Sequence, residues 1–470
     1  MSVFKRNYGD NCAIAAPASQ GAIALIRTSG ECSLELLSKA FSRPKALLEA
    51  QGNSVIHGWI QDQSSSPVDE VLVNVYRAPH SYTGENSADI SCHGGIATVK
   101  VIMETLRKTG FEDALPGEFT FRSFVNGKID LTRSESVMEL VSARTNNALE
   151  HAVKRLSGTL EREIKTIRQS LLEAVSAAEL YLDYPEDEID EDTQHVLSTS
   201  SYLGAAEEAL QKLKSLAVSY ERERFYQEGA LVVIAGRPNA GKSSLFNALL
   251  NEDRSIVTEI PGTTRDWIEA YTSIKGIPLR LVDTAGLRDS DLEVEMQGIK
   301  RSKSLAEEAD IILYTVDACI GLCEEDIKFI AGHSDSLLIL VWNKIDLNIE
   351  SIPQSEKNIN NAPSVPVSAV TGEGLEKLCT SIEDLLIKKT QKMSEFNAPN
   401  AGLGTQRQKD LTEKAVSLLE EALLLTKNKE SLDLIAPLLR ESLNALGEIT
   451  GEVSTADVLD IIFSRFCLGK

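Results

Sequence analysis

The segment from Gly236 to Ser243 constrains the fold of this chain more than any other stretch, because it fits the pattern G-x-x-x-x-G-K-S at every fixed position. A buried, β-branched strand is predicted before it at 230–235, and a helix after it at 244–250. Glycines in such a loop let successive backbone N–H groups point at phosphate oxygens, and the helix N-terminus adds a favourable partial charge. Lys242 is expected to reach the β- and γ-phosphates, and the Ser243 hydroxyl to coordinate Mg²⁺. The segment therefore predicts a phosphate-binding loop between a strand and a helix.

Two later segments add signals for a metal and a γ-phosphate. The segment 262–266 (Gly-Thr-Thr-Arg-Asp) lies in a polar connection, where Thr264 can complete the Mg²⁺ coordination when a γ-phosphate is present. The segment 283–286 (Asp-Thr-Ala-Gly) ends a predicted strand, which places Asp283 near the metal and the Gly286 backbone N–H near the γ-phosphate. The chain is therefore predicted to bind a nucleoside triphosphate with Mg²⁺.

Two further segments specify the base. The segment 343–346 (Asn-Lys-Ile-Asp) follows a predicted strand at 337–342. The Asp346 carboxylate can accept hydrogen bonds from both guanine N1–H and N2–H₂, a pair of donors that adenine lacks. Ser368-Ala369, after a predicted strand at 365–367, offers a backbone N–H to guanine O6. The predicted nucleotide is therefore GTP.

The residue after the 283–286 segment departs from the Ras-like arrangement. Ras-like enzymes have a glutamine there that orients the attacking water, whereas this chain has Leu287, which cannot form a hydrogen bond. The acidic candidates for orienting the water are Asp289, Asp291, Glu293 and Glu295. Spacing alone does not choose between them, and a solvated acidic loop accounts for the rest.

Asn239 places an amide side chain beside the phosphates. This amide can coordinate a monovalent cation in the space that an arginine finger would occupy, and a positive charge placed there is the usual source of large GTPase acceleration.

Composition narrows the class of protein. At 470 residues the chain is too long for one core, and about three domains are expected at roughly 100–200 residues each. The net charge of -22 argues against a general polyanion binder, so a nucleic-acid partner needs a local basic patch or a second protein. Without a signal-peptide pattern or an apolar run near the ~20 residues of a membrane span, we expect a cytoplasmic protein with no membrane partner. The seven irregularly spaced cysteines indicate reduced thiols, and Cys319 and Cys323 are interpreted as small buried side chains rather than half of a metal site.

The hydrophobic pattern divides the chain into α+β, all-α and α/β parts. The predicted divisions are an N-terminal α+β domain at 1–124, a helical domain at 125–224, an inserted Ras-like α/β domain with the P-loop at 225–385, and the second part of a discontinuous helical domain at 386–470. The first of these shows two helical stretches, at 33–40 and 96–108. One long helix is predicted from an apolar stripe formed by Leu156, Leu160, Ile164, Ile167, Leu171, Val175 and Ala178. The basic residues on its other faces, Lys154, Arg155, Arg162, Lys165 and Arg168, fit a solvated helix surface and a nucleic-acid footprint about equally well.

These motifs together resemble the MnmE (TrmE) family of tRNA-modification GTPases over essentially the whole chain. The segments that carry the resemblance are 116–120 (Pro-Gly-Glu-Phe-Thr), 126–131 (Asn-Gly-Lys-Ile-Asp-Leu), 236–244, 262–266, 283–288 and the terminal 466–470 (Phe-Cys-Leu-Gly-Lys). The terminal segment separates this family from the Era and Der types, whose additional domains bind RNA.

The resemblance implies an N-terminal domain that binds a tetrahydrofolate derivative, as the 5-formyl or 5,10-methylene form. It also implies a homodimer that joins an FAD-dependent partner, MnmG (GidA), in a heterotetramer. In this family the two proteins build a carboxymethylaminomethyl or aminomethyl group at C5 of the wobble uridine, position 34, of certain tRNAs. Meeting of two G domains in the presence of GTP and K⁺ activates hydrolysis.

The resemblance also implies roles for individual residues. Asn239, with backbone groups around Thr258, Ile260 and Thr263, corresponds to the K⁺ ligands, and Ser243 and Thr264 correspond to the Mg²⁺ ligands. The implied catalytic residues are Glu295, twelve residues after Asp283, with Arg288 and Cys467. The implied folate-binding residues are Arg27, Asp89, Lys128 and Lys470, where Asp89 stands in place of an expected glutamate. The expected GTP-binding residues are Asn239, Ala240, Gly241, Lys242, Ser243, Ser244, Thr258, Thr263, Thr264, Asp283, Thr284, Ala285, Gly286, Asn343, Lys344, Asp346, Ser368 and Ala369.

Two functional classes remain at this point. The first is an enzyme, a GTPase whose conformational cycle drives tRNA modification. The second is a GTPase switch in RNA or ribosome assembly, for which a dedicated RNA-binding module is expected. The sequence has neither a KH-type G-x-x-G between strand and helix nor a strongly basic tail, which favours the enzyme.

Overall fold

The computed structural model describes residues 13–15, 21–143, 145–183, 199–252, 268–274, 277–283, 308–333, 336–347, 362–394, 401–466 and 469. The chain divides into two compact units. The first comprises Met1–Met138, Arg155–Leu210 and Lys414–Lys470, and the second comprises Glu139–Lys154 and Gln211–Glu413. Each unit contains one six-stranded sheet.

The described elements are numbered in chain order. The strands are β1 Ala13–Ala15, β2 Ile23–Ser29, β3 Ser54–Gln61, β4 Pro67–Tyr76, β5 Ser87–His93, β6 Glu112–Asp113, β7 Ala230–Gly236, β8 Ile268–Ile274, β9 Ile277–Asp283, β10 Ile311–Asp317, β11 Leu338–Asn343 and β12 Ser364–Pro366. The helices are α1 Ser33–Ser38, α2 Pro44–Glu49, α3 Ile96–Thr109, α4 Glu118–Val125, α5 Leu131–Ser142, α6 Asn146–Leu156, α7 Thr159–Asp183, α8 Thr199–Glu228, α9 Lys242–Glu252, α10 Glu324–Gly332, α11 Leu375–Ser394, α12 Gln406–Lys427, α13 Leu432–Thr450 and α14 Ala456–Phe463.

The sheet of the first unit has the strand order β3-β4-β5-β2-β1-β6, and its described pairs are antiparallel except β1 with β6. Along β4 the buried Val71, Val73 and Val75 alternate with the exposed Leu72, because successive side chains of a strand point to opposite faces. Helices α1, α2 and α3 cover the buried face and contribute Leu34, Leu47, Ile102 and other apolar residues to its core. The other face remains partly exposed.

Sequence patterns anticipated part of this domain. The helices predicted at 33–40 and 96–108 are confirmed as α1 and α3. Helices α2 and α4, of six and eight residues, were not predicted.

The helical stripe is confirmed with one correction. Its members Leu160, Ile164, Ile167, Leu171, Val175 and Ala178 are all buried along α7. Leu156 instead ends α6, because the chain turns at 157–158, where Gly158 has a φ of +83° that ordinary helical residues do not adopt. Helix α13 packs against α7, and the Arg168–Glu452 ion pair, at 2.6 Å, lies in the same unit.

The sheet of the second unit has the order β12-β11-β10-β7-β9-β8 and is parallel except for the edge strand β8. Strands β10 and β11 are buried throughout, and β7 in all but its last residue, as expected when helices cover both faces of a parallel sheet. Helices α9 and α11 pack on one face and α10 on the other. Chain order reverses on the two sides of β7, and ligands of such sheets bind at the carboxyl ends of the strands beside that reversal.

Candidate nucleotide-binding site

The phosphate-binding loop leaves β7 and enters α9, as its sequence predicts. Gly241 has a φ of +91°, and a Cβ atom there would lie 2.2 Å from Asn343 Nδ2, so no other residue fits without rearrangement. The Lys242 ammonium is buried and donates to the carbonyl oxygens of Gly236 at 2.9 Å and Arg237 at 2.8 Å. It therefore lies at the centre of the loop, where phosphate oxygens bind in loops of this kind.

The predicted Mg²⁺ ligand and its partner lie together. Ser243 Oγ, at the start of α9, donates to Asp283 Oδ2 at 2.6 Å. Asp283 is fully buried at the end of β9, adjacent in the sheet to β7. Mg²⁺ binds oxygen ligands, commonly one or two carboxylate or hydroxyl groups with phosphate and water. The hydroxyl and the carboxylate are therefore suited to this ion, and Ser244 beside them is exposed.

The predicted guanine-binding residues form one connected network. Ser368 Oγ donates to Asp346 Oδ1 at 2.7 Å, which fixes one carboxylate oxygen. Asn343 donates from Nδ2 to the carbonyl of Ala240 at 3.0 Å, and its Oδ1 accepts from the Ala369 backbone N–H at 3.1 Å. The ends of β11 and β12 are thus connected to the phosphate-binding loop by a single amide.

Lys344 provides a second connection that includes a residue not predicted from the sequence. Its ammonium donates to the Asn239 carbonyl and to Asp317 Oδ2, each at 2.7 Å. Partial burial acts to raise the pKa of Asp317, but the hydrogen bonds from Lys344 and from the Cys319 backbone N–H outweigh it and lower the pKa. Asp317 ends β10, and only its position at the carboxyl edge of the sheet could have suggested it.

Arg237, at the second position of the loop, is held by residues that the sequence also did not indicate. Its Nε lies 3.0 Å from Asp326 Oδ2, and an Nη donates to the Gly321 carbonyl at 2.6 Å. Asp326 is buried and also accepts from Tyr314 Oη at 2.7 Å. Burial, together with this hydrogen bond, raises the pKa of the Tyr314 phenol, which keeps it a donor. The phosphate-binding loop is thus fastened to the segment that precedes α10.

Several predicted site residues lie outside the described residues. They are Thr258, Ile260, Thr263, Thr264, Thr284, Ala285, Gly286, Arg288, Glu295, Cys467 and Lys470, and with them the other acidic candidates Asp289, Asp291 and Glu293. Their assignments remain predictions. One expectation is wrong: Cys319 is exposed and Cys323 is only partly buried, because both lie in or beside the loop between β10 and α10 rather than in the core.

The predicted folate-binding residues lie on the first unit. Arg27 on β2 donates to Asp89 on β5, with Nε–Oδ1 at 2.9 Å and an Nη–Oδ2 contact at 3.2 Å. Burial acts to lower the pKa of Arg27, and the hydrogen bond and charge of Asp89 reverse that effect and raise it. An Nη of Arg27 also lies 3.5 Å from the Gly469 carbonyl, next to the predicted Lys470. Lys128 donates to the Pro79 carbonyl at 2.9 Å, in the loop between β4 and β5 that also carries Tyr82.

The basic residues around α7 are occupied by acidic or backbone partners. Lys154 pairs with Glu150 and Lys165 with Glu161 one helical turn away, and Arg168 pairs with Glu452. Arg162 donates to Ser157 O and Thr159 Oγ1, and Arg155 is buried. This arrangement favours the solvated, self-neutralised surface over a nucleic-acid footprint. Within the described ranges, no three His, Cys, Asp or Glu residues cluster as a metal site, and no helix is long and apolar enough to cross a membrane.

Comparisons with known proteins agree with these features along the whole chain. Residues 131–467 match the family model of the MnmE helical domain, and residues 11–128 match that of the GTP-binding protein TrmE N-terminus, so the two domains are separate. A tRNA modification GTPase MnmE from Treponema denticola is 42% identical over 480 residues and covers 100% of both chains. The protein of the same name from Borreliella burgdorferi is 41% identical and covers 100% of both chains. That from Carboxydothermus hydrogenoformans is 40% identical and covers 97% of this chain and 98% of its own. Among solved structures, the G domain of the T. maritima FeoB iron transporter is 30% identical over 33% of this chain and 98% of its own, with a TM-score of 0.27.

Proposed function

The chain belongs to the MnmE family of tRNA modification GTPases, and we propose that it acts with an FAD-dependent partner of the MnmG (GidA) type on the wobble uridine of certain tRNAs. The proposed product carries a carboxymethylaminomethyl or aminomethyl group at C5 of uridine 34. A tetrahydrofolate derivative, in the 5-formyl or 5,10-methylene form, supplies the one-carbon unit. One observation carries the proposal: the chain aligns with its relatives from end to end, so a GTP site and the Arg27–Asp89 site belong to one protein.

As a GTPase of this family the chain binds GTP and Mg²⁺, and the contacts of the described residues support the following assignments. We assign the phosphates to Lys242 and the loop backbone, Mg²⁺ to Ser243 and the proposed Thr264, and guanine to Asp346. We assign the orientation of the attacking water to Glu295, because Leu287 cannot do it. K⁺, when bound, supplies positive charge where negative charge develops during hydrolysis.

The proposed K⁺ site includes Asn239. Its backbone has a φ of +61°, a conformation to which asparagine is better suited than most residues, and its side chain is exposed. The Lys344 ammonium holds the Asn239 carbonyl at 2.7 Å, so the amide projects from a fixed backbone. This geometry supports an oxygen ligand for a monovalent cation beside the phosphates, with the groups around Thr258, Ile260 and Thr263 as further proposed ligands.

The proposed folate site fits the chemistry of that ligand. A pterin presents N–H donors that suit the Asp89 carboxylate, and a glutamate tail presents carboxylates that suit cationic side chains. The Arg27–Asp89 pair supplies both charges in one place, and the Tyr82 ring lies 5.5 Å from the Arg27 guanidinium. An aromatic side chain beside this pair supports a flat heteroaromatic ligand.

The proposed homodimer is supported by the uncovered face of the first sheet. This face presents five apolar side chains that are 41–75% exposed, namely Ile23, Leu25, Val55, Trp59 and Leu72. Leu25 and Leu72 lie on either side of Ser91 in the sheet, so they belong to the same face. Exposed apolar side chains gathered on one face support an interaction surface, and a self-complementary twofold contact is the commonest way to cover one.

Reconstitution tests the proposed function. The chain is mixed with the FAD-dependent partner, unmodified tRNA, GTP, K⁺, 5,10-methylenetetrahydrofolate and an amine, either ammonium or glycine, that supplies the nitrogen of the product. The tRNA is then digested to nucleosides for mass spectrometry. We expect a modified wobble uridine that disappears when GTP or the folate is omitted. Unmodified tRNA from the complete mixture would contradict the proposal. Co-sedimentation with ribosomal particles in cell extract would then point to the alternative, a switch in RNA or ribosome assembly. Because tRNA is the proposed substrate, we propose a cytoplasmic location.

A further inference from the structure

Two aromatic rings of the first unit lie over the Arg27 guanidinium. The Tyr82 centroid is 5.5 Å away and the Phe119 centroid 5.9 Å away. Tyr82 belongs to the loop between β4 and β5, and Phe119 to the first turn of α4. Phe119 is fully buried, whereas Tyr82 is 38% exposed. Of these two rings, therefore, only Tyr82 presents a surface that a ligand at the Arg27–Asp89 pair can contact.

A buried arginine joins the two segments that carry these rings. Arg122 on α4 is 2% exposed. One Nη donates to both carboxylate oxygens of Glu85 at 3.1 Å, and the other donates to Glu118 Oε1 at 2.7 Å. Glu85 lies three residues after Tyr82, and Glu118 immediately precedes Phe119. The guanidinium therefore binds one carboxylate from each of the two segments.

Weaker contacts join the same two segments. Tyr82 Oη and Thr120 Oγ1 are hydrogen-bonded at 2.9 Å, and Asn126 Nδ2 donates to the Thr83 carbonyl at 2.7 Å. Burial acts to lower the pKa of Arg122, and Glu85 and Glu118 reverse the effect and raise it, so the arginine remains charged. The loop at Tyr82 is thus held by α4 on one side and by Ser29 of β2 on the other, since the Ser29 hydroxyl is hydrogen-bonded to Thr83 Oγ1 at 2.6 Å and donates to Glu85 Oε2 at 2.8 Å.

Stability alone gives little reason for this arrangement. Replacing a buried ion pair by well-packed apolar side chains is often neutral or stabilising, because desolvation of the charges offsets their attraction. In some proteins a buried ionic network instead selects one conformation among several. The geometry that this one defines is the approach of Tyr82 to Arg27.

We propose that Arg122 is a positioning residue of the Arg27–Asp89 site, and that it holds Tyr82 as the aromatic wall on which a flat heteroaromatic ligand stacks. The inference rests on the proposed folate function and identifies how the pterin is held. Arg122 acts on Tyr82 through Glu85, which lies three residues after the ring, while Thr120 of the same helix binds the ring hydroxyl.

The test measures the affinity of the full-length protein for 5-formyltetrahydrofolate by calorimetry. Tyr82→Ala should weaken binding about tenfold, as expected for the loss of one aromatic stacking contact. Glu85→Gln, which keeps the size of the side chain but weakens the pairing with Arg122, should weaken binding about threefold to tenfold. Tyr82→Phe, which keeps the ring and removes the bond to Thr120, should weaken it about twofold to threefold. Arg107→Lys, which alters an exposed pair with Asp113, serves as the matched control and should leave the affinity unchanged.

The double variant separates positioning from general damage. If Arg122 acts through Tyr82, Glu85→Gln should have no further effect on folate affinity in a Tyr82→Ala background. GTP affinity is measured on the same samples and should match the parent, and thermal unfolding checks that each variant is folded at the temperature of the assay, since loss of one partner of a buried ion pair lowers stability. Should Glu85→Gln prove unfolded, Tyr82→Phe carries the test alone.

The outcomes distinguish this inference from the proposed function beneath it. A parent protein that does not bind 5-formyltetrahydrofolate overturns both. If the parent binds 5-formyltetrahydrofolate and both Glu85→Gln and Tyr82→Phe bind it with the same affinity, only the positioning role is overturned. Fully additive effects of Glu85→Gln and Tyr82→Ala would also overturn it, because the two residues would then act independently.

Discussion

Asp346 is the residue on which base discrimination depends in the proposed GTP site. Ser368 fixes one of its carboxylate oxygens at 2.7 Å. Asp346→Asn replaces an acceptor by a donor opposite guanine N1–H and N2–H₂, so GTP affinity should fall at least about tenfold, the scale of a hydrogen bond to a charged group. Competition between GTP and xanthosine triphosphate for a fluorescent nucleotide measures the change. Asp384→Asn, on the exposed surface of α11, is the control, and equal GTP binding by Asp346→Asn and parent would count against the base assignment.

Glu295 is a residue whose role can be tested by kinetics alone. Glu295→Ala should leave GTP affinity nearly intact, because the proposed water contact is made in the transition state, and should lower the hydrolysis rate at least about tenfold. Glu293→Ala is the matched control, since it removes a second acidic residue from the same segment. Single-turnover phosphate release provides the rate. A parental rate for Glu295→Ala, or an equal loss for Glu293→Ala, would refute the assignment.

At the scale of elements, the phosphate-binding loop is anchored to α10 and to the loop that precedes it. Arg237 contacts both Asp326 and the Gly321 carbonyl, and a lysine cannot reproduce this forked arrangement. Arg237→Lys should therefore weaken GTP and GDP binding about threefold to tenfold, and Asp326→Asn should do the same. Stopped-flow release of labelled GDP detects the change as faster dissociation. Arg280→Lys, which alters the Glu269 pair of the same sheet, provides the comparison, and release at the parental rate would contradict this role of the anchor.

Elements also differ in how far sequence could predict them. The phosphate-binding loop, Asn343 and Asp346 were predictable, because each belongs to a short motif whose residues act through local backbone geometry. Asp317 and Asp326 were not, since they lie 27 residues from Lys344 and 89 from Arg237 and only the folded sheet brings the partners together. In the same way, the pattern of α7 predicted its buried stripe, but the break at Gly158 depends on a single turn.

The N-terminal domain shows the same limit. Helices α1 and α3 followed from the hydrophobic pattern. The pairing of Arg27 with Asp89, in contrast, spans 62 residues and requires β2 and β5 to be neighbours. The motif 116–120 was visible in the sequence without a role. Its contacts with the loop at Tyr82 suggest a role in positioning that loop. The sequence could not show this role, because the partners of the motif lie in a distant segment.

At the scale of the whole molecule, the net negative charge of the chain opposes binding of the proposed tRNA substrate to most of its surface. The net charge is -22, and three of the basic residues around α7, Lys154, Lys165 and Arg168, each pair with a glutamate of their own unit. At long range, therefore, the chain alone repels a polyanion. This favours a complex in which the FAD-dependent partner contributes much of the tRNA surface, as the proposed heterotetramer does.

Association of two G domains is the property of the whole molecule that the proposed K⁺ site predicts. If Asn239 holds K⁺, hydrolysis in KCl should exceed that in NaCl at matched ionic strength by at least about tenfold, because a fixed positive charge beside the phosphates stabilises the transition state. Asn239→Ala should abolish the difference with little change in GTP affinity, whereas Asn247→Ala, on the exposed side of α9, should retain it. Sedimentation with GDP and aluminium fluoride should report G-domain pairing only in K⁺. Equal rates in both salts would remove the cation from the mechanism, and some other group, such as an arginine supplied by a partner, would then have to stabilise the transition state.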